Sequence, residues 1–131
     1  MTLVVDATVA LGASVRSDGF EDLRDPDLVA PPLMWSEARS ALHERRWRGD
    51  VALEDAEAMR TRLERCPVVA RNPRRLGPRA WELADLLGLA KTYDAEYLAL
   101  AQLLGCRVVT VDGRLRRGAD RLGLVVLPSE L

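Results

Sequence analysis

Arg107-Val108-Val109-Thr110-Val111-Asp112-Gly113 decides the fold. Its β-branched run is the clearest strand in the chain, and it delivers an acid at its far end. An Asp-Gly pair between two strands would signal a hairpin. The residues that follow, Arg114-Leu115-Arg116-Arg117-Gly118, do not alternate, so Asp112 instead ends the strand and caps a short helix reaching about Leu122. Thr110 lies on the same side of the strand as Asp112. It either holds that acid or a water beside it, or simply serves β propensity.

The same pattern opens the chain. Leu3-Val4-Val5 is a short apolar run that ends in Asp6, and Ala7 to Val15 are expected to be helical. Leu28-Val29-Ala30 predicts a second strand, after which Pro32 can open a helix from Leu33 to about Arg48. Gly49-Asp50 breaks that helix, and Leu53, Ala56, Met59 and Leu63 mark another from about Val51 to Arg65, giving an antiparallel helical hairpin. Val68-Val69 is a weak third strand. Two further helices are expected, from Pro78 to Leu87 and from about Thr92 to Gly105, and Leu124 to Leu127 form the last strand. Strands alternating with helices predict an α/β domain with a central, mainly parallel sheet.

The 131 residues, 48% hydrophobic, suit a single domain (1–131) that needs neither disulfides nor structural zinc. Cys66 and Cys106 have no metal-site spacing, and His43 is the only histidine. Thr2 to Val15 could pass for a signal-peptide core, but no Lys or Arg precedes it and Asp6 interrupts it. No run approaches the roughly 20 apolar residues of a membrane span. A cytoplasmic protein with no membrane contact is therefore expected. Net charge of −1 excludes bulk attraction to nucleic acid, leaving local groups such as Arg71, Arg74, Arg75 and Arg79, or Arg114, Arg116 and Arg117. These are either phosphate grips or ordinary solvated helix faces.

Four acids, Asp6, Glu37, Asp94 and Asp112, stand where a strand ends or a helix begins. In an open parallel sheet such positions meet at the carboxyl ends of the strands. Carboxylates held that close raise one another's pKa values unless a cation or shared protons relieve the repulsion, so the cluster, where it forms, implies one shared site for Mg²⁺ or Mn²⁺. Each acid also has a plainer reading. Asp6 and Asp112 could serve as helix caps, and Glu37 and Asp94 as acids favoured by a helix N-terminus.

In order and spacing, Val4-Val5-Asp6-Ala7-Thr8, Leu33-Met34-Trp35-Ser36-Glu37-Ala38, Asp94-Ala95-Glu96-Tyr97-Leu98-Ala99-Leu100-Ala101 and Thr110-Val111-Asp112 resemble the four acidic motifs of PIN-domain ribonucleases. Length and the helical hairpin are similar to the VapC-type toxins of toxin–antitoxin modules. The resemblance implies a three-layer α/β/α fold with a projecting hairpin and a Mg²⁺- or Mn²⁺-dependent endoribonuclease. It further implies Asp6 and Asp94 as metal ligands, Glu37 and Asp112 completing the catalytic pocket, and Thr8 and Thr110 supporting the ligands. Thr8 stands where many relatives carry Ser, and Gly113 and Arg114 stand where a further acid could follow Asp112. The expected products carry a 5′-phosphate and a 3′-hydroxyl. The expected partners are RNA, a cognate antitoxin and a second copy of the chain. Trp35, Trp47 and Met59 are expected either to line an antitoxin groove or to lie in the core or a dimer contact.

Other readings fit less well. A phosphoacceptor domain needs a lysine after a late strand, yet Lys91, the sole lysine, precedes it. A haloacid-dehalogenase-type phosphatase needs a second Asp where Thr8 stands. A non-catalytic PIN-like module that holds RNA or a protein is the remaining alternative.

Overall fold

The computed structural model describes residues 1–23 and 27–126. Five strands form one sheet: β1 (Thr2–Val5), β2 (Asp27–Ala30), β3 (Val69–Ala70), β4 (Arg107–Val109) and β5 (Val125–Val126). Their order is β3-β2-β1-β4-β5, and every pairing is parallel, with Val4 set between Val29 and Val108. Six α-helices complete the three-layer α/β/α domain: α1 (Ala7–Ala13), α2 (Leu33–Trp47), α3 (Leu53–Glu64), α4 (Leu76–Leu87), α5 (Tyr93–Leu104) and α6 (Gly113–Arg121). A 3₁₀ turn spans Gly19–Leu23.

The strand order creates the site. From β1 the chain builds outward through β2 and β3, then returns to place β4 on the other flank of β1. A crevice opens where the order reverses, outside the carboxyl ends of those two strands. Asp6 directly follows β1, and Asp112 lies just beyond β4. The strand expected to reach Val111 leaves the ladder after Val109, where β1 also ends. The last pairing there is the Asp6 amide donating to the Val109 carbonyl at 3.4 Å. The final strand was expected over Leu124 to Leu127; Val125–Val126 form it, and Leu127 lies outside the described residues.

The core is continuous across the central strands. Val4, Val5, Val108 and Val109 are fully buried, and Ala95, Leu98, Ala99, Leu100 and Ala101 of α5 bury against them and α4. The small alanines let α5 sit low on β1 and β4, which sets its N-terminus beside the crevice. Both α4 and α5 stop at glycines in the left-handed region, Gly88 (φ 71°) and Gly105 (φ 66°).

α2 and α3 form the expected hairpin, seated on α1 through a second apolar cluster of Leu11, Leu42, Ala56 and Met59. Arg62 of α3 adds hydrogen bonds to the carbonyls of Ser14 and Val15, at 3.2 and 2.7 Å, closing the C-terminal end of α1. Trp35, Trp47 and Met59 do not share a surface. Met59 is buried in the second cluster, Trp35 packs half-buried on the main core, and Trp47 stands 81% exposed.

Candidate active site

Asp6 is the most buried of the four acids, at 2% exposure. Its Oδ1 accepts from the Val9 amide at 3.0 Å and so caps α1. The same carboxylate takes the Thr8 hydroxyl, at 2.7 Å on Oδ1 and 2.9 Å on Oδ2. The fully buried Thr110 hydroxyl also donates to Oδ2. One side chain thus caps α1 and gathers two threonine hydroxyls.

Asp112 mirrors it. Its Oδ1 accepts from the amides of Arg114 (2.8 Å) and Leu115 (3.2 Å), capping α6, while its own amide donates to Thr110 Oγ1 at 3.0 Å. Thr110 therefore links the two acids, giving its proton to Asp6 and receiving the Asp112 amide. On the other side, the Val111 amide reaches Thr8 Oγ1 at 3.4 Å. Two threonine hydroxyls tie the end of β1 to the end of β4.

The remaining acids come from helices. Asp94 lies in the first turn of α5, where no hydrogen bond between side chains engages it among the described residues. Glu37, in the second turn of α2, is held by the buried Tyr97 of α5, whose hydroxyl donates to Oε1 at 2.6 Å.

Burial is the first cause of raised carboxyl pKa values at Asp6, Glu37 and Asp94. The acids then act on one another. Asp112 raises Asp6 and Asp94, while Asp94 and Asp6 both raise Glu37. Hydroxyl and amide donors pull Asp6 partly back, Tyr97 does so for Glu37, and the Arg114 charge does so for Asp94. The Tyr97 phenol is driven strongly upward by burial and by Glu37, so it remains a donor. All four acids thus share one electrostatic neighbourhood. Among the described residues, however, no three His, Cys, Asp or Glu side chains come together as a group that could hold a metal ion.

The PIN domain profile matches residues 3–121. The chain belongs to the PIN-domain family. Its curated relatives include VapC ribonuclease Mb0985 of Mycobacterium bovis and ribonuclease VapC9 of Mycobacterium tuberculosis. Each is 33% identical over 133 residues, covering 96% of this chain and 98% of the relative. This PIN domain is accordingly of the VapC ribonuclease type. The crystal structure of PAE2754 from Pyrobaculum aerophilum has the same fold, with a TM-score of 0.79 at 22% identity over 98% of this chain and 90% of that one.

For this PIN domain, the donor chemistry fits a hard divalent cation. Four carboxylates supply only oxygen, the preference of Mg²⁺ and Mn²⁺, and a nearby cation would offset the burial and the repulsion that raise Asp6, Glu37 and Asp94. Cys66 and Cys106 take no part: both are free, half-buried thiols that burial pushes up. Among the described residues, no helix is long and apolar enough to cross a membrane. Sequence reading missed Tyr97, which helical periodicity assigns to the apolar face of α5. A tyrosine three residues after a site acid was the available signal.

Proposed function

We propose that this VapC-type endoribonuclease cleaves RNA phosphodiester bonds in the crevice between the ends of β1 and β4. Asp6 and Asp94 would hold Mg²⁺ or Mn²⁺, and Glu37 and Asp112 would complete the acidic pocket. The observation that carries this reading is the linkage of Asp6 to Asp112 through the Thr110 hydroxyl at the sheet's switch point, with Asp6 and Asp94 both near enough to Glu37 to raise its pKa. When bound, the cation supplies a Lewis acid for the phosphate and lowers the pKa of water.

The chain's own groups do the positioning. Thr8 and Thr110 donate to Asp6, which favours its ionised form against the burial that raises its pKa and fixes its orientation. Tyr97 does the same for Glu37. Glu37 and Asp112 accept protons or hydrogen bonds from water beside the phosphate, in place of the histidines that some other nucleases use. Arg114, whose charge already reaches Asp94, lies where it can steady a flanking phosphate.

The toxin role carries further expectations: a cognate antitoxin, a homodimer and action in the cytoplasm. The likeness to curated VapC ribonucleases supports the antitoxin partner; the homodimer and the cytoplasmic site of action follow from the resemblance alone.

The test is incubation of purified, antitoxin-free protein with total RNA, with Mg²⁺, Mn²⁺ or chelator, beside Asp94→Asn. New 5′ ends that need both metal and Asp94 are expected. A folded wild type that cuts nothing with either metal would overturn the proposal in favour of a non-catalytic binding module.

A further inference from the structure

Next to the acids lies a cleft that the mechanism does not use. One of its walls is a single face of α2, with Leu33, Ser36, Glu37, Ser40 and Glu44, and Tyr93 of α5 faces it. Its volume is about 460 Å³, within the range of small-molecule sites. Glu37 belongs to both cleft and acidic pocket, and Tyr93 immediately precedes Asp94. The cleft therefore opens directly off the point where the phosphate is to be cut.

Its lining separates the possible occupants. Among the described residues no Arg, Lys or His lines it, and two of its side chains are glutamates. Glu37 is engaged by Tyr97, and Glu44 pairs with Arg48 on its own helix. A phosphate would meet carboxylates and no cation here. Apart from Arg48, which is spent on Glu44, basic side chains lie in the adjoining trough, where Arg39 and His43 stand beside Ser36, Ser40 and Trp47. A neutral, flat group with polar edges meets a better surface: serine hydroxyls and a carboxylate for its edges, and an aromatic ring for its face.

That ring is Tyr93. It is 55% exposed at the head of α5, whereas Tyr97, one turn on, is buried. A scattered exposed aromatic carries no information. This one is distinguished by its place at the mouth of a cleft contiguous with the acids. Aromatic rings are the usual platforms on which single-stranded nucleic acid stacks its bases.

We infer that Tyr93 and the Ser36–Ser40 face of α2 form a nucleobase subsite, which stacks an unpaired base of the nucleotide flanking the scissile phosphate. The inference rests on the ribonuclease reading above. A paired base has no free face to offer Tyr93, so this contact is made only to an unpaired nucleotide. Specificity at that nucleotide then comes from the edges read by Ser36, Ser40 and Glu44. The flanking backbone passes over Arg39 and His43.

The experiment uses a short single-stranded RNA spanning a cut mapped in total RNA, together with versions made abasic at each nucleotide flanking the cut. Wild type, Tyr93→Ala and Tyr93→Trp are compared in KM and kcat. Loss of the ring is expected to raise KM about 10-fold or more with a smaller change in kcat, and tryptophan to restore most of the loss. One abasic position is expected to raise the wild-type KM similarly, while adding little to Tyr93→Ala. If wild type cuts and Tyr93→Ala has the same KM, or if no abasic position matters to wild type, the subsite is overturned and the nuclease stands. If wild type cuts no RNA, the nuclease reading falls and the subsite with it.

Discussion

The Tyr97 hydroxyl, buried in α5, donates to Glu37 Oε1 of α2 at 2.6 Å, so the second acid is held by a helix other than its own. Tyr97→Phe removes that one donor and leaves the ring packing intact. Cleavage is expected to fall about 10- to 100-fold, the usual effect of losing a partner that orients a site carboxylate. Steady-state cleavage beside a thermal melt checks this. An unchanged rate would show that Glu37 needs no such support.

Thr110 serves two acids with one hydroxyl. Thr110→Val keeps the shape but strips the donor from buried Asp6 and leaves the Asp112 amide without its acceptor. A loss of about 1–3 kcal/mol in unfolding free energy is expected, with much weaker cleavage. Thr110→Ser, which retains the hydroxyl, is expected to recover most of both. Urea denaturation of the two variants is the measurement.

Acidity should stabilise the metal-free protein over a definite window. Burial raises the folded carboxyl pKa values of Asp6, Glu37, Asp94 and Glu96 above their ordinary values, so the native state holds protons that the unfolded chain has released. In the interval between the ordinary and raised values, stability falls as pH rises, and the loss persists above it. Chelated protein is therefore expected to melt higher at about pH 5 than at about pH 7.5, with Mg²⁺ or Mn²⁺ restoring stability at the higher pH. Asp6→Asn should shrink the pH difference. The opposite slope in chelated wild type would contradict these shifts.

Gly19 begins the 3₁₀ turn against the end of α1, where a Cβ would fall 1.8 Å from the Ala13 carbonyl oxygen. That is backbone and cannot swing aside. Gly19→Ala is expected to cost about 1–3 kcal/mol, the usual range for overpacking, read by chemical denaturation. A substitution at Gly12, where an added Cβ meets nothing within 4 Å, supplies the control.

Different parts of the molecule were legible to different degrees. The positions of Asp6 and Asp112 beyond β1 and β4, and their caps, could be read from sequence because a buried apolar strand that runs into an acid is locally anomalous. Glu37 could not be singled out alone, since an acid early in a helix is ordinary; only the ordered set of motifs selected it. Tyr97 stayed hidden because periodicity reports which face of a helix is buried. It does not report whether a hydroxyl at the end of a buried ring meets a partner 60 residues away in sequence. Of the two readings of Trp35, Trp47 and Met59, the core holds for Met59 and largely for Trp35, and a shared groove does not form, for a related reason. Spacing along two helices cannot say that Met59 turns inward to Leu11 and Leu42 of other helices while Trp47 is left in solvent.

The capping duties of Asp6 and Asp112 bear on how such a chain can decay. Replacing either with alanine removes an N-cap as well as a site carboxylate, at about 1–2 kcal/mol for the cap. Asp94 caps nothing and carries an unfavourable desolvation, so a neutral residue there leaves the architecture intact. A lineage selected to silence the enzyme while keeping its folded surface for other partners has its least disruptive route through Asp94. Silent descendants of this chain should therefore accumulate first changes there, with Asp6 and Asp112 persisting as fossils of the lost activity because the helices still need them.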